Sequence, residues 1–156
     1  VSKIAVISID AIRRDSMAVK SIRKQIETFR NKFQVEIQKE EDVLREANQA
    51  LARQRTLLSA EAFDEKRREF EKQVATIQRL VQEKKLKLDQ SQGGAMNKVQ
   101  DKLNEIVSAL ATENNINLIL SKDQTILAVK SLDITELVLE RLDKQLPELK
   151  VTAPAE

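Results

Sequence analysis

The sequence predicts an α+β protein that is mostly helix: a long antiparallel coiled-coil hairpin forms an arm on a small β-body, and self-association completes the body. Three observations carry this. Apolar residues recur at steps of three or four from Ile26 to Leu88 and lose phase only around Ser59 to Ala62. Both prolines, Pro147 and Pro154, stand near the C-terminal end, so no proline breaks a helix before them. Short β-branched runs lie on either side of the helical stretch.

Residues 1–16 are the first part of the body. Lys3 to Ile9, KIAVISI, is nearly all apolar, the pattern of a strand covered on both faces, with Ile4, Val6 and Ile7 as candidate body residues. Asp10 ends the strand and is expected to cap the short helix AIRRDS. A carboxylate at a strand's end can also hold a metal, but no second acidic ligand or phosphate loop accompanies this one.

Residues 17–94 are the arm. Ile26, Phe29, Phe33, Ile37, Glu40, Leu44, Ala47, Leu51, Gln54 and Leu58 make the outgoing seam, with a four-residue stutter near Phe33. Phe63, Arg67, Phe70, Val74, Ile77, Val81, Lys84 and Leu88 make the return. A reversal at LLSAEAF, with Ser59 as N-cap and Glu61 in the first turn, sets the two seams face to face. One unbroken helix would instead leave both stripes in water. Arm helices of about 35 residues reach roughly 50 Å. Glu40, Gln54, Arg67 and Lys84 interrupt the seam, so the arm should bend. Gly93 and Gly94 cost roughly 1 kcal/mol each against alanine inside a helix and read as a hinge or as a local kink.

Residues 95–150 complete the body. Val99, Leu103, Ile106 and Leu110 continue the helical stripe, and Asn114 with Asn115 can supply a left-handed cap. NLIL and TILAV flank SKDQ and predict an antiparallel β-hairpin, with Leu118, Ile119, Leu120, Ile126, Leu127 and Val129 as its apolar members. Asp133 is the expected cap of the last helix, Glu136 completes a capping box, and Ile134, Val138 and Leu142 mark its apolar face with Leu137 and Leu146. Residues 151–156, VTAPAE, are expected to form a disordered tail. Three short strands have open edges that one helix and a helix base cannot cover, so copies should join around an axis. A lone subunit should then be unstable or partly unfolded.

Composition narrows the chemistry. The 156 residues include no His and no Cys, which removes the usual zinc and haem ligands, thiol nucleophiles, disulfides and Ser-His-Asp arrangements. No catalytic, metal or cofactor residue is assigned, and an enzyme is not expected. No segment approaches the roughly 20 apolar residues of a membrane span, and the start of the chain lacks a signal peptide, as a mature secreted form would. Ile12 to Gln92 carries 19 Lys or Arg against 14 Asp or Glu, whereas Gly93 to Glu156 carries 7 against 10, so the arm is basic and the body acidic. The runs KRR (Lys66 to Arg68) and EKKLK (Glu83 to Lys87) suit either a solvated helix face or an anionic partner. Mixed signs and the lack of stacking aromatics argue against nucleic acid, while an anionic membrane surface stays open.

The strand KIAVISID, the charged helical hairpin, the segment NLILSKDQTILAV and the closing DITELVLERL together resemble the Skp/OmpH family of periplasmic chaperones. The specific matches are Lys3, Ile4, Ala5 and Val6 in the first strand and Asp133, Ile134, Thr135, Val138 and Leu139 in the last helix; the arms match in character. The resemblance implies a jellyfish-like homotrimer whose β-barrel body is built by all copies and whose arms enclose a cavity. It also implies an ATP-independent holdase that keeps unfolded outer-membrane β-barrel proteins soluble in the periplasm. Such clients alternate apolar and polar residues, so many weak contacts from a flexible cage suit them better than one fitted pocket. Leu57, Leu58 and Phe63 near the arm end, with Lys66, Arg67 and Arg68, are the client-contact candidates. Gly93-Gly94 maps onto no shared motif of the family. Two other readings are a coiled-coil spacer joining partners through its arms, and a prefoldin-like chaperone. In prefoldin-like chains the hairpins lie between the coiled-coil helices, whereas here the strands flank them.

Overall fold

The computed structural model describes residues 2–155. In chain order the elements are strand β1 (Ile4–Ile7), helix α1 (Ile9–Asp15), helix α2 (Met17–Gln54), helix α3 (Ala60–Glu113), strand β2 (Leu118–Ser121) and helix α4 (Thr135–Gln145), with single 3-10 turns at Lys122–Gln124 and Lys130–Leu132. They divide into two compact units. The body runs up to Ile26 and again from Ser91 to Thr152; the arm runs from Glu27 to Gln90 and takes in the chain from Ala153 onward.

Ser8, rather than Asp10, caps α1: its Oγ accepts the Ala11 N–H at 3.2 Å, which places Asp10 inside the first turn. The strand is shorter than KIAVISI because Ser8 turns the chain straight into that helix. At the far end of α3, Asn115 adopts the expected left-handed conformation, with φ 53°. The Ile116 N–H reaches Ala111 O at 2.9 Å and the Asn115 N–H reaches Thr112 O at 3.4 Å, the two bonds of a Schellman cap. This cap aims the chain into β2.

The antiparallel hairpin expected from NLIL and TILAV does not form. β2 pairs in parallel with β1, in the register Ile4 to Leu118 through Ile7 to Ser121. SKDQ is taken up by a 3-10 turn closed by Thr125, whose N–H and hydroxyl both donate to Lys122 O. The chain therefore leaves β2 without doubling back on it, and residues 125–129 form no strand. On the other side of β1, Val6 bridges to Asp133 and Val6 O accepts the Ile134 N–H at 3.0 Å. β1 is thus the central element of a minimal sheet whose parallel partners come from the far end of the sequence, an arrangement that requires a long crossover. Here the crossover is the whole helical hairpin.

The body core gathers Ile12 from α1, Val19 and Ile22 from α2, Leu103, Ile106 and Leu110 from α3, and Val138 and Leu142 from α4, all at most 2% exposed. Bidentate contacts at 2.9 and 3.1 Å from Arg141 to Glu113 tie α4 to α3. Asp133 does not cap α4 in the expected position, which Ile134 occupies without a side-chain bond. Its Oδ1 instead accepts both the Thr135 N–H and the Thr135 hydroxyl, at 3.0 and 2.6 Å. The expected tail also differs: Val151 is 2% exposed, because its backbone N–H is held by Gln25 Oε1 at 2.9 Å.

Candidate functional site

Two surfaces have the chemistry for binding, one on each unit. On the body, the register sets Ile4 beside Leu118 and Val6 beside Leu120. Val6 and Ile7 are buried, whereas Ile4, Leu118 and Leu120 remain 40–48% exposed and Ile119 is half-buried. Beyond them Ile126, Leu127 and Val129 stand in water at 106, 86 and 58% exposure. Of the residues that the sequence assigns to the body, Val6, Ile7, Val138 and Leu142 are consumed by the chain's own core, and Ile134 is half-buried. Ile4, Leu118, Leu120, Ile126, Leu127 and Val129 remain available.

Beside these residues a cleft of about 350 Å³ opens between the start of β1 and the entry to α4, with Ile4, Leu110, Ile116, Leu132, Ile134 and Leu137 in its wall. Leu132 is a participant that sequence reasoning missed; it sits in a 3-10 turn, where no apolar period marks it. At the exit from β2, Lys122 Nζ lies 2.7 Å from Asp133 Oδ2. Burial alone would raise the Asp133 carboxyl, but the Lys122 ammonium and the two Thr135 donors outweigh it and hold the pKa at about 2. The Thr135 hydroxyl oxygen in turn accepts the Ser8 N–H at 2.9 Å. This network joins β2's exit, α4's start and the end of β1 through polar contacts.

On the arm, the reversal falls at residues 55–59, where Ser59 Oγ accepts the Ala62 N–H at 3.2 Å as the sequence predicts. Leu57 is 80% exposed, while Leu58 and Phe63 are half-buried. The KRR cations are largely engaged within α3. Arg67 meets Asp64 and Glu71 at 2.8 Å, and Arg68 meets Asp64 at 2.8 Å. The Asp64 carboxyl is held below its ordinary range chiefly by the Arg67 hydrogen bond, and the Arg67 guanidinium is raised chiefly by the Asp64 bond.

Apart from the buried Ile26 and Leu88, the apolar residues of the seam are half-buried, as in two helices without a third layer. Glu40 and Arg67, expected within it, are exposed, and Arg67 turns instead to Asp64 and Glu71 on its own helix. Lys84 does lie in the seam: its ammonium sits 4.5 Å from the Phe33 ring centroid and 2.6 Å from Glu36 Oε2. That bond is the main reason the Glu36 carboxyl is held low. Further along, the helices part around an opening of about 580 Å³ walled by Leu44, Val74, Ile77 and Val81. Val35, Val43 and Leu86 are 55–58% exposed on the arm surface. Gly93 and Gly94 lie within continuous α3, in the body unit near its border at Ser91.

Among the described residues no cluster of acidic side chains is placed to hold a metal ion, and no helix is long and apolar enough to cross a membrane. Comparison with known proteins gives a consistent match. The family model described as Outer membrane protein (OmpH-like) matches residues 3–142. The solved structure of a candidate outer membrane chaperone (OmpH-like) from Caulobacter crescentus is similar with a TM-score of 0.89 at 18% identity, over 100% of this chain and 92% of that one. No curated protein matches the chain.

Proposed function

The chain belongs to the OmpH-like family, and from that membership we propose that it is an ATP-independent holdase that shields unfolded outer-membrane β-barrel proteins in the periplasm. Copies assemble as a homotrimer through the body, and the arms surround the client. The observation that carries this reading is the row of apolar side chains that the folded chain leaves in water on its body, Ile4, Leu118, Leu120, Ile126, Leu127 and Val129. Large apolar side chains left exposed in this number support a protein contact. Joined copies remove it from water and leave the arms as the accessible surface for a client.

The arm chemistry supports a diffuse grip. Its exposed apolar residues are single side chains, Val35, Val43, Leu57 and Leu86, spread along the two helices. Contacts so dispersed cannot select one sequence, which suits clients that share only an alternating apolar pattern. An anionic membrane surface is a secondary partner on this reading, met by the cations of the arm that are not in ion pairs.

The test is light scattering of a urea-denatured outer-membrane β-barrel protein diluted into buffer, with and without the chain and with no nucleotide. Suppression of aggregation near one trimer per client is expected. Undiminished scattering at several-fold excess of the chain would overturn the holdase reading.

A further inference from the structure

We propose that the body carries a binding site for an unfolded chain of alternating apolar and polar residues, and that the segment after α4 occupies this site as an internal stand-in for such a client. α4 ends at Gln145, and the chain continues to Thr152 without helix or strand. From Leu149 its residues alternate in exposure: Leu149 is half-buried, Lys150 exposed, Val151 2% exposed and Thr152 exposed. That is the burial pattern of a strand with one covered face. The residues themselves, L-K-V-T, alternate as the strands of an outer-membrane β-barrel do.

The receptor is Gln25 on α2, in the same compact unit as the segment it holds. Its Nε2 donates to Leu149 O at 2.8 Å and its Oε1 accepts the Val151 N–H at 2.9 Å. One carboxamide thus bonds the C=O and the N–H that flank Lys150, the pair that a residue of a neighbouring strand takes in a parallel ladder. The carboxamide is itself oriented, since Nε2 also donates to Ser21 Oγ at 3.0 Å and Ser21 O at 3.2 Å. A side chain on a rigid helix is therefore set to receive an extended backbone.

What the site reads follows from these contacts. Both bonds go to main-chain groups, which every residue but proline offers, so they select no sequence. The covered position at Val151 selects an apolar side chain, and the exposed position at Lys150 accepts a polar one. Main-chain bonds for affinity with alternate side chains for selectivity is how extended peptides are recognised in strand addition. Opening the site breaks the two Gln25 bonds and uncovers one valine, and it breaks no helix or sheet bond, so it is a local event. A client has to displace the segment, and its apparent affinity falls by the fraction of chains whose site is open. The identity of the client rests on the holdase reading, whereas the site itself stands on the geometry at Gln25.

The probe is a fluorescein-labelled synthetic peptide of residues 146–153, added to the full chain and followed by anisotropy. Val151→Asp in the chain releases the internal copy and should tighten peptide binding by about tenfold or more. Gln25→Ala added to that chain should weaken it again by about tenfold. Methylating the residue-151 nitrogen of the peptide, which removes only its N–H, should do the same. An unlabelled eight-residue peptide alternating lysine and valine should displace the probe, and one alternating lysine and serine should not. In the unaltered chain, saturating peptide should speed exchange of the Val151 amide, and the methylated peptide should leave it unchanged, which tests the site even where Val151→Asp unfolds the chain. Equal binding to parent and variant, or binding indifferent to the methyl group, would show that the peptide does not enter this site. Displacement by the chain's own sequence alone would show a fixed attachment and no client site. Light scattering of the parent decides the holdase reading separately: suppression of aggregation without peptide binding removes the site alone, and peptide binding without suppression keeps the site and removes the outer-membrane client.

Discussion

Ile126→Asp with Leu127→Asp tests whether the apolar row on the body is the surface through which copies join. In the single chain these side chains are 106 and 86% exposed, so the substitutions remove almost nothing from its own core. Surface changes of this kind shift subunit stability by about 0.5 kcal/mol or less. In an assembly that buries them, each side chain contributes about 1.5–3 kcal/mol, so the pair contributes about 3–6 kcal/mol per contact. At 1.4 kcal/mol per factor of ten, losing it weakens each contact by about a hundredfold to ten-thousandfold, before the cost of desolvating two carboxylates. Sedimentation velocity at micromolar concentration reads the outcome. The parent chain is expected as three copies of 17.8 kDa, about 53 kDa together, and the variant as a helical single chain. A variant that keeps the parent's mass would show that residues 126 and 127 are not at the contact. A parent that sediments as one stably folded 17.8 kDa chain would remove the assembly itself.

Asp133→Asn should lower stability at neutral pH by about 1–2 kcal/mol, the linkage expected from a carboxyl lowered from 3.8 to about 2, reduced for screening at the 50% exposed Lys122. Because the folded-state value is the lower one, this contribution is present above about pH 4 and fades as the pH falls toward 2; a parent-minus-variant difference in urea midpoint that stays constant from pH 6 to pH 2 would contradict it. Gly93→Ala with Gly94→Ala should stabilise α3 by up to about 1 kcal/mol per site, since an added Cβ meets nothing within 4 Å at either position. If the pair is a hinge, the same double variant narrows the spin-label distance distribution between arm and body, and an unchanged width removes the hinge.

The helical part of the fold was legible because its signals are local. Seam spacing, the Ser59 cap and the left-handed Asn115 each depend on residues within a turn or two of one another. The OmpH-like family was legible from the two terminal blocks, and the family match over residues 3–142 bears it out. The sheet was not legible, because strand pairing is decided by partners more than a hundred residues apart. TILAV has a strand's composition, but the chain leaves β2 through the 3-10 turn at Lys122–Gln124 and does not double back onto it, while β2 is fixed beside β1 through the Lys3 to Asn117 contacts. The attachment of Val151 was hidden for a related reason: VTAPAE looks like a tail until Gln25, 126 residues from Val151, supplies its partner. The assigned body residues divide the same way. Apolar character marks Val138 and Leu127 alike, and only the folded chain separates the core member from the exposed one.

The arm's charge shows how far composition can mislead about partners. An excess of cations along a sequence suggests a surface that attracts anions at long range. In the folded arm, however, Arg67 and Arg68 share Asp64 and Glu71, and Lys84 turns inward onto Glu36 and the Phe33 ring. Three cations from the two runs that suggested an anionic partner are thereby answered within a few ångströms, where a second anion gains little. What the arm offers in their place is spaced apolar side chains, Val35, Val43, Leu57 and Leu86, between neutralised ion pairs. On the proposed reading such a surface grips an unfolded apolar chain weakly at many points, and any pull on an anionic surface comes from the cations outside those pairs. If client capture nevertheless depended steeply on salt, its source would have to lie in cations outside those pairs, such as Lys66, Lys85 and Lys87, and the grip would be electrostatic rather than apolar.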